Sequence, residues 1–253
     1  MKKIIIPILA FCSFFLVGCL ETIHEVTINE NGSGTYSTIN DMSAVIGLAR
    51  QMGGAAEMEK QESIDSSFSL RDAADSVQNL TPAEKELIGS GTMHVKMNLK
   101  EDKFIINPSF PFSKISQIPE IGKLSGKVMG EAMKKQMGEQ MQGAPAGMED
   151  QMPEQSSVDD YYKFDFTEGE LTRKVDKSKY AGVESDEFLK QMRQATSMGL
   201  TVKTTYIFNL PRPVQKAEGK NVKVSADKKK VTISAELDEF FEDASSLEFK
   251  IKY

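Results

Sequence analysis

Apolar and polar residues alternate one by one through six stretches of this chain, and that rhythm commits it to a fold built on sheets. The stretches span residues 22–28, 93–99, 161–166, 200–210, 231–237 and 247–251. Side chains on a strand point to opposite faces in turn, so such a segment buries one face and wets the other. Turn chemistry separates the stretches. Asn31-Gly32 offers a turn that needs positive φ, and Glu101-Asp102-Lys103, Thr167-Glu168-Gly169-Glu170 and Asp227-Lys228-Lys229 mark three more. Each turn is flanked by two apolar runs, so the pattern predicts antiparallel hairpins over 22–39, 93–106, 161–175 and 222–237. Pro211 and Pro213 close the strand at 200–210, because proline cannot donate to a ladder. Residues 107–119 read as an extended loop.

Helical patterning fills the gaps between hairpins. Val45, Ile46, Leu48, Ala49 and Met52 lie on one face of a helix expected over about 42–58, weakened by Gly53-Gly54. Residues 60–80 are polar and mixed; Phe68, Leu70, Val77 and Leu80 tie a short strand or helix to the core. Thr81-Pro82-Ala83-Glu84 has the residues of a capped helix start, with Glu three places after the Thr cap. Residues 120–141 have helical composition, although Gly122, Gly126, Gly130 and Gly138 each cost up to about 1 kcal/mol relative to alanine. Ser185 or Asp186 can cap a further helix that carries Phe188, Leu189, Met192 and Ala195 on one face and stops at Gly199. Residues 142–158, rich in Gly, Pro, Gln, Glu and Ser, are expected to form a mobile linker. The fold class that follows is α+β: an antiparallel sheet of hairpins with helices packed on one face or end.

The N-terminus follows a different logic. Lys2 and Lys3 precede an apolar run over residues 4–17, too short to be a comfortable membrane span. A basic start, an apolar middle and a small residue before a cut have the anatomy of an export signal. The run closes on Leu16-Val17-Gly18-Cys19, which resembles the lipobox of bacterial lipoproteins. The resemblance implies cleavage after Gly18, a thioether to diacylglycerol on Cys19 and usually an acylated new amine. One acyl chain binds a bilayer marginally, whereas two or three hold firmly. Residues 1–18 are thus expected to be a signal peptide and residues 19–253 the mature, lipid-anchored domain. In proteobacterial lipoproteins an Asp after the cysteine favours the inner membrane. This chain has Leu20 there, so the outer membrane is the expected location where the envelope has two.

Cleavage removes Lys2 and Lys3 and no acid, taking the formal charge from −6 to −8. That balance argues against nucleic acid as a partner and against loose electrostatic attachment to anionic lipid. It also removes Cys12, so Cys19 is the one remaining thiol and no intrachain disulfide is expected.

Catalytic and metal chemistry find little purchase. No Gly-x-Ser-x-Gly elbow occurs, and Gly32-Ser33-Gly34 and Gly89-Ser90-Gly91 sit in turns. His24 and His94 stand among alternating residues, so both are expected to face outward as ordinary strand residues. Neither has neighbouring Cys or paired carboxylates for a zinc site, and no cofactor or metal is expected. Met129, Met133, Met137 and Met141 recur every four residues along one helical ridge. A soft-metal row would want tight Met spacings with His or Cys nearby. A ridge that faces a ligand or partner, or simply packs, fits the composition better.

A lipidated cysteine, an immediate strand, a Gly-rich hairpin, helices between hairpins and a Pro-ended late strand are similar in layout to LppM-like envelope lipoproteins. That similarity implies an envelope module whose sheet and helices enclose an apolar surface, suited to lipid. The expected function is therefore non-enzymatic: a lipid-anchored cell-envelope protein that touches the membrane through Cys19 and binds a hydrophobic ligand or an envelope protein. Two alternatives stand beside it. One is an envelope hydrolase with a site assembled from distant residues; the other is a structural subunit of an envelope assembly.

Overall fold

The computed structural model describes residues 18–50, 62–77, 80–140, 156–197 and 199–253. Its strands in chain order are β1 (Gly18–Ile28), β2 (Gly34–Asp41), β3 (Ile64–Ser69), β4 (Thr92–Asn98), β5 (Lys103–Phe112), β6 (Tyr162–Thr167), β7 (Glu170–Val175), β8 (Leu200–Asn209), β9 (Lys216–Glu218), β10 (Val222–Val224), β11 (Lys230–Glu236) and β12 (Phe249–Lys252). Eight form one sheet in the order β10-β11-β8-β1-β2-β5-β4-β3, and four form a second, β6-β7-β12-β9. The helices are α1 (Ser43–Ala49), α2 (Arg71–Ser76), α3 (Pro82–Gly89), α4 (Ile118–Gln140), α5 (Lys177–Tyr180), α6 (Glu187–Ser197) and α7 (Leu237–Glu242). The class is α+β, as the patterning predicts.

The predicted hairpins form, with registers set by the alternation. Val26 faces Tyr36 across β1 and β2, and Ile28 faces Gly34. Gly32 makes the turn at φ +76°. Gly34 is required for space instead: a Cβ there would lie 1.9 Å from the Thr27 carbonyl oxygen. One pairing departs from the antiparallel expectation. β1 also runs parallel to β8, from Gly18 opposite Leu200 to Thr27 opposite Asn209. A parallel pair needs a long crossover, and the chain between residues 28 and 200 supplies it. Alternation tells which face of a strand is buried; it does not tell which strand lies beside it or in which direction.

The two sheets meet face to face. Val26, Ile28, Tyr36, Phe110, Phe112, Tyr206 and Phe208 of the large sheet are buried, as are Tyr162, Phe166, Leu171, Phe249 and Ile251 of the small one. Phe208 joins them, with its ring centre 5.9 Å from Phe166 and 5.2 Å from Phe249, both edge-on. Edge-on packing suits rings with a negative face and a positive rim. α4 lays Ile118, Ile121, Leu124 and Val128 against this core. α3 starts on the capping box read from the sequence: Thr81 Oγ1 accepts from the Glu84 amide, and the Glu84 carboxylate accepts from the Thr81 amide at 2.7 Å.

Several boundaries move. Residues 107–112, expected in a loop, complete β5 as far as Phe112. Its prolines are tolerated because little ladder is lost. Pairing with β2 lapses between Ser37–Ser109 and Asn40–Ile106, where Pro108 stands, and Pro111 lies beyond the start of β4. Leu237 opens α7 rather than ending β11, and Leu247 sits in a 3-10 turn before β12. β3 places Phe68 in solvent at 47% exposure, while Leu70, Val77 and Leu80 are buried. Of the helix expected over 42–58, α1 accounts for the first part; residues 51–58 lie outside the described residues. So does most of the linker expected at 142–158. Its last three residues are anchored: Ser156 donates to Asp186 at 2.7 Å, and Ser157 caps the 3-10 turn Val158–Tyr161.

Candidate functional site

Cys19 lies on the second residue of β1, opposite Thr201 of β8, and is exposed. β1 is an inner strand of the large sheet, so the cysteine joins the fold with no intervening linker. Partial burial, and then the Glu21 carboxylate, push its thiol upward. A raised thiol is mostly protonated at neutral pH and makes a poor nucleophile. By alternation Cys19 shares a sheet face with Glu21, which is ion-paired to Lys203 at 3.0 Å and accepts from Thr205 at 2.9 Å. This outer face is largely polar but carries Ile23, Ile39, Ile105 and Ile207, and it ends at β3 and β4 with Asp65 held by His94 and Lys96. A shallow cavity of about 190 Å³ opens at the Cys19 end between α6, β8 and α7, lined by Leu200, Thr201, Val202, Glu236 and Asp238 among others.

The inner face changes character along the strands. At the end remote from Cys19 it is buried by the second sheet and α4. Toward Cys19 the cover thins. Phe104 and Ile106 of β5, and Met93, Val95 and Met97 of β4, are only half-buried, and Ile64 and Phe68 of β3 are 38% and 47% exposed. Register puts these side chains on one face: Phe104 beside Met97, Met97 beside Ile64, and Met93 beside Phe68. Asp41, at the end of β2, joins the two regions by pairing with Glu21 on one side and Ile105 on the other.

Between the two sheets lies a polar cluster that the sequence did not reveal. Arg173 of β7 is fully buried, its guanidinium stacked between the rings of Tyr162, at 3.8 Å, and Tyr206, at 4.3 Å. Its Nη2 lies 2.7 Å from Asp159 Oδ1, an ionic contact, and none of the three guanidinium nitrogens has a well-aligned hydrogen-bond partner among the described residues. Tyr206 also donates to Asp159. His24 stacks on Tyr206 with ring centres 4.6 Å apart and planes nearly parallel, and its Nδ1 is 2.7 Å from Tyr36 Oη. Thr38 donates to that same oxygen at 3.3 Å, and a neutral His24 ring with its proton on Nε2 accepts the Tyr36 proton at Nδ1. Burial lowers the His24 pKa against the opposing pull of Asp159, and burial raises that of Tyr206. Burial also works against charge on Arg173, but Tyr206 and Asp159 outweigh it and hold its pKa up.

The histidines thus part company. His94 faces outward, as expected, bonded to Asp65 at 2.8 Å. His24 faces inward, contrary to expectation, because it shares β1's buried parity with Val26 and Ile28. No seryl or cysteinyl side chain hydrogen-bonds to either ring among the described residues, and none of the described Cys, His, Asp and Glu side chains gather as a metal site. Of the methionine ridge, Met129 is half-buried on α4; Met133 and Met137 lie on the same helix; Met141 lies outside the described residues. The helix row that reaches the core is Ile118, Ile121, Leu124 and Val128. No described helix is long and apolar enough to cross a membrane. Comparisons with protein-family models, with curated proteins and with solved structures found no match to this chain.

Proposed function

We propose that this chain is a lipid-anchored protein of the cell envelope, held in the outer membrane by acyl chains on Cys19, without catalytic activity of its own, and built to bind an apolar ligand or a protein partner. The observation that carries the reading is the position of Cys19. It is exposed on the opening residues of an inner strand, directly after Leu16-Val17-Gly18. A modified sulfur there clears the folded domain while the strand it heads is gripped on both sides. The half-exposed apolar face at the same end of the sheet supports the binding part of the reading. The four-residue spacing of Met129, Met133, Met137 and Met141 in the sequence offers a second candidate contact surface. The hydrolase alternative draws less support, since His24 is occupied by Tyr36 and Tyr206, and His94 stands in the open against Asp65.

Intact-mass measurement of the native protein tests the anchor. The expected species lacks residues 1–18 and carries the added mass of diacylglycerol and an acyl chain. A Cys19→Ala variant should leave the membrane fraction. An unmodified thiol with Met1 still attached would defeat the proposal.

A further inference from the structure

We propose that the half-exposed inner face of β3, β4 and β5 rests against the bilayer that holds Cys19, giving the domain a second membrane contact that fixes its tilt. The inference rests on the anchored reading of Cys19 and adds a surface and an orientation to it.

The surface is one-sided. Ile64, Phe68, Met93, Met97, Phe104 and Ile106 share the inner face by register, with no charged side chain among them. The opposite face of the same strands carries Asp65, His94 and Lys96, with Ile105 the one aliphatic side chain among mostly polar neighbours. An uncharged hydrocarbon phase matches the first face and not the second. Two of the six residues are methionines, whose unbranched side chains adapt to a fluid surface.

Position selects the bilayer as the occupant. Ile64, Met97 and Phe104 form the row nearest the Cys19 end, because Ile105 pairs with Asp41 and Asp41 with Glu21. β5, β4 and β3 stand two, three and four places from β1 in the sheet. At about 4.8 Å per strand, the row lies roughly 10–20 Å to the side of the cysteine. Cys19 has no linker before the fold, so a bilayer holding it is the nearest apolar phase to that row. The cysteine itself belongs to the outer face with Glu21, so its own chains leave on the other side of the sheet. Interfacial elements bury apolar side chains about 5–10 Å into the boundary between headgroups and acyl chains, a depth that a surface row can reach without unfolding.

The chain contains no tryptophan, so a single introduced one reports its own surroundings. Full-length lipidated protein carrying Ile64→Trp, Phe104→Trp or, on the outer face, Lys96→Trp is placed on phosphatidylcholine vesicles with brominated acyl chains. Ile64 and Lys96 are both exposed, so substitution there leaves the core intact. The expected result is strong quenching of the first two tryptophans and near-full emission from the third. Floated protein with no quenching at either inner-face position overturns the inference and leaves the anchor standing. Equal quenching of all three overturns it as well, since the whole sheet would then be immersed. Flotation is scored on the same samples: protein that fails to float with vesicles removes the anchored reading and this inference together.

Discussion

Asp159 is the sole carboxylate within ion-pair distance of the buried guanidinium of Arg173, among the described residues. Taking away one partner of a buried pair leaves the other charged and dry, which costs about 3–5 kcal/mol. Asp159→Ala should therefore lower the unfolding free energy by about 3 kcal/mol in urea titration, the lower end of that range because Asp159 retains 25% side-chain exposure. Adding Arg173→Met to the same chain should recover most of the loss, since an apolar side chain between Tyr162 and Tyr206 needs no counter-charge. His24 gives the cluster a pH dependence. Its folded pKa lies below the ordinary 6.5 because burial disfavours the imidazolium. The unfolded chain then binds a proton that the folded one refuses, so this contribution is complete above about pH 6.5 and is lost as pH falls through and below that value. The urea midpoint should drop across this window in the parent protein and stay flatter in His24→Gln. The groups facing the ring are Tyr36, Tyr206, Asp159 and Arg173, so both proteins are compared on the same background of neighbours.

Among the elements, α3 is the clearest case of local chemistry deciding structure. Thr81, Pro82 and Glu84 satisfy the first orphan amides of the helix reciprocally, and Ile88 reaches the core at its far end. Thr81→Ala should cost about 1 kcal/mol in the same titration, with the far-ultraviolet spectrum nearly unchanged. Legibility follows this locality. Turns, caps and strand parity are fixed by residues a few places apart, and so the hairpins around Gly32, Asp102, Gly169 and Lys228 and the start of α3 were readable. β5 was cut short because Pro108 and Pro111 look like breakers until the lapse in pairing beside them is known. The inward turn of His24 was lost for a related reason. A polar residue on an apolar face counts as an exception to alternation unless Tyr36 and Tyr206 are known to receive it.

For the molecule as a whole, the sequence supplied the class but not the assembly. Nothing near residue 24 announces residue 206, nor does residue 173 announce residue 159. These juxtapositions arise from the parallel pairing of β1 with β8 and from the docking of the second sheet, both long-range events. The parallel pairing has a mechanical corollary. A tug on the N-terminal end of β1 runs lengthwise along a strand flanked by β2 and β8, whose hydrogen bonds lie across the line of pull. Load of that kind is shared by all the rungs at once instead of peeling them singly. Under the proposed mooring at Cys19, the domain could then be dragged through a crowded, moving surface without unravelling from its point of attachment.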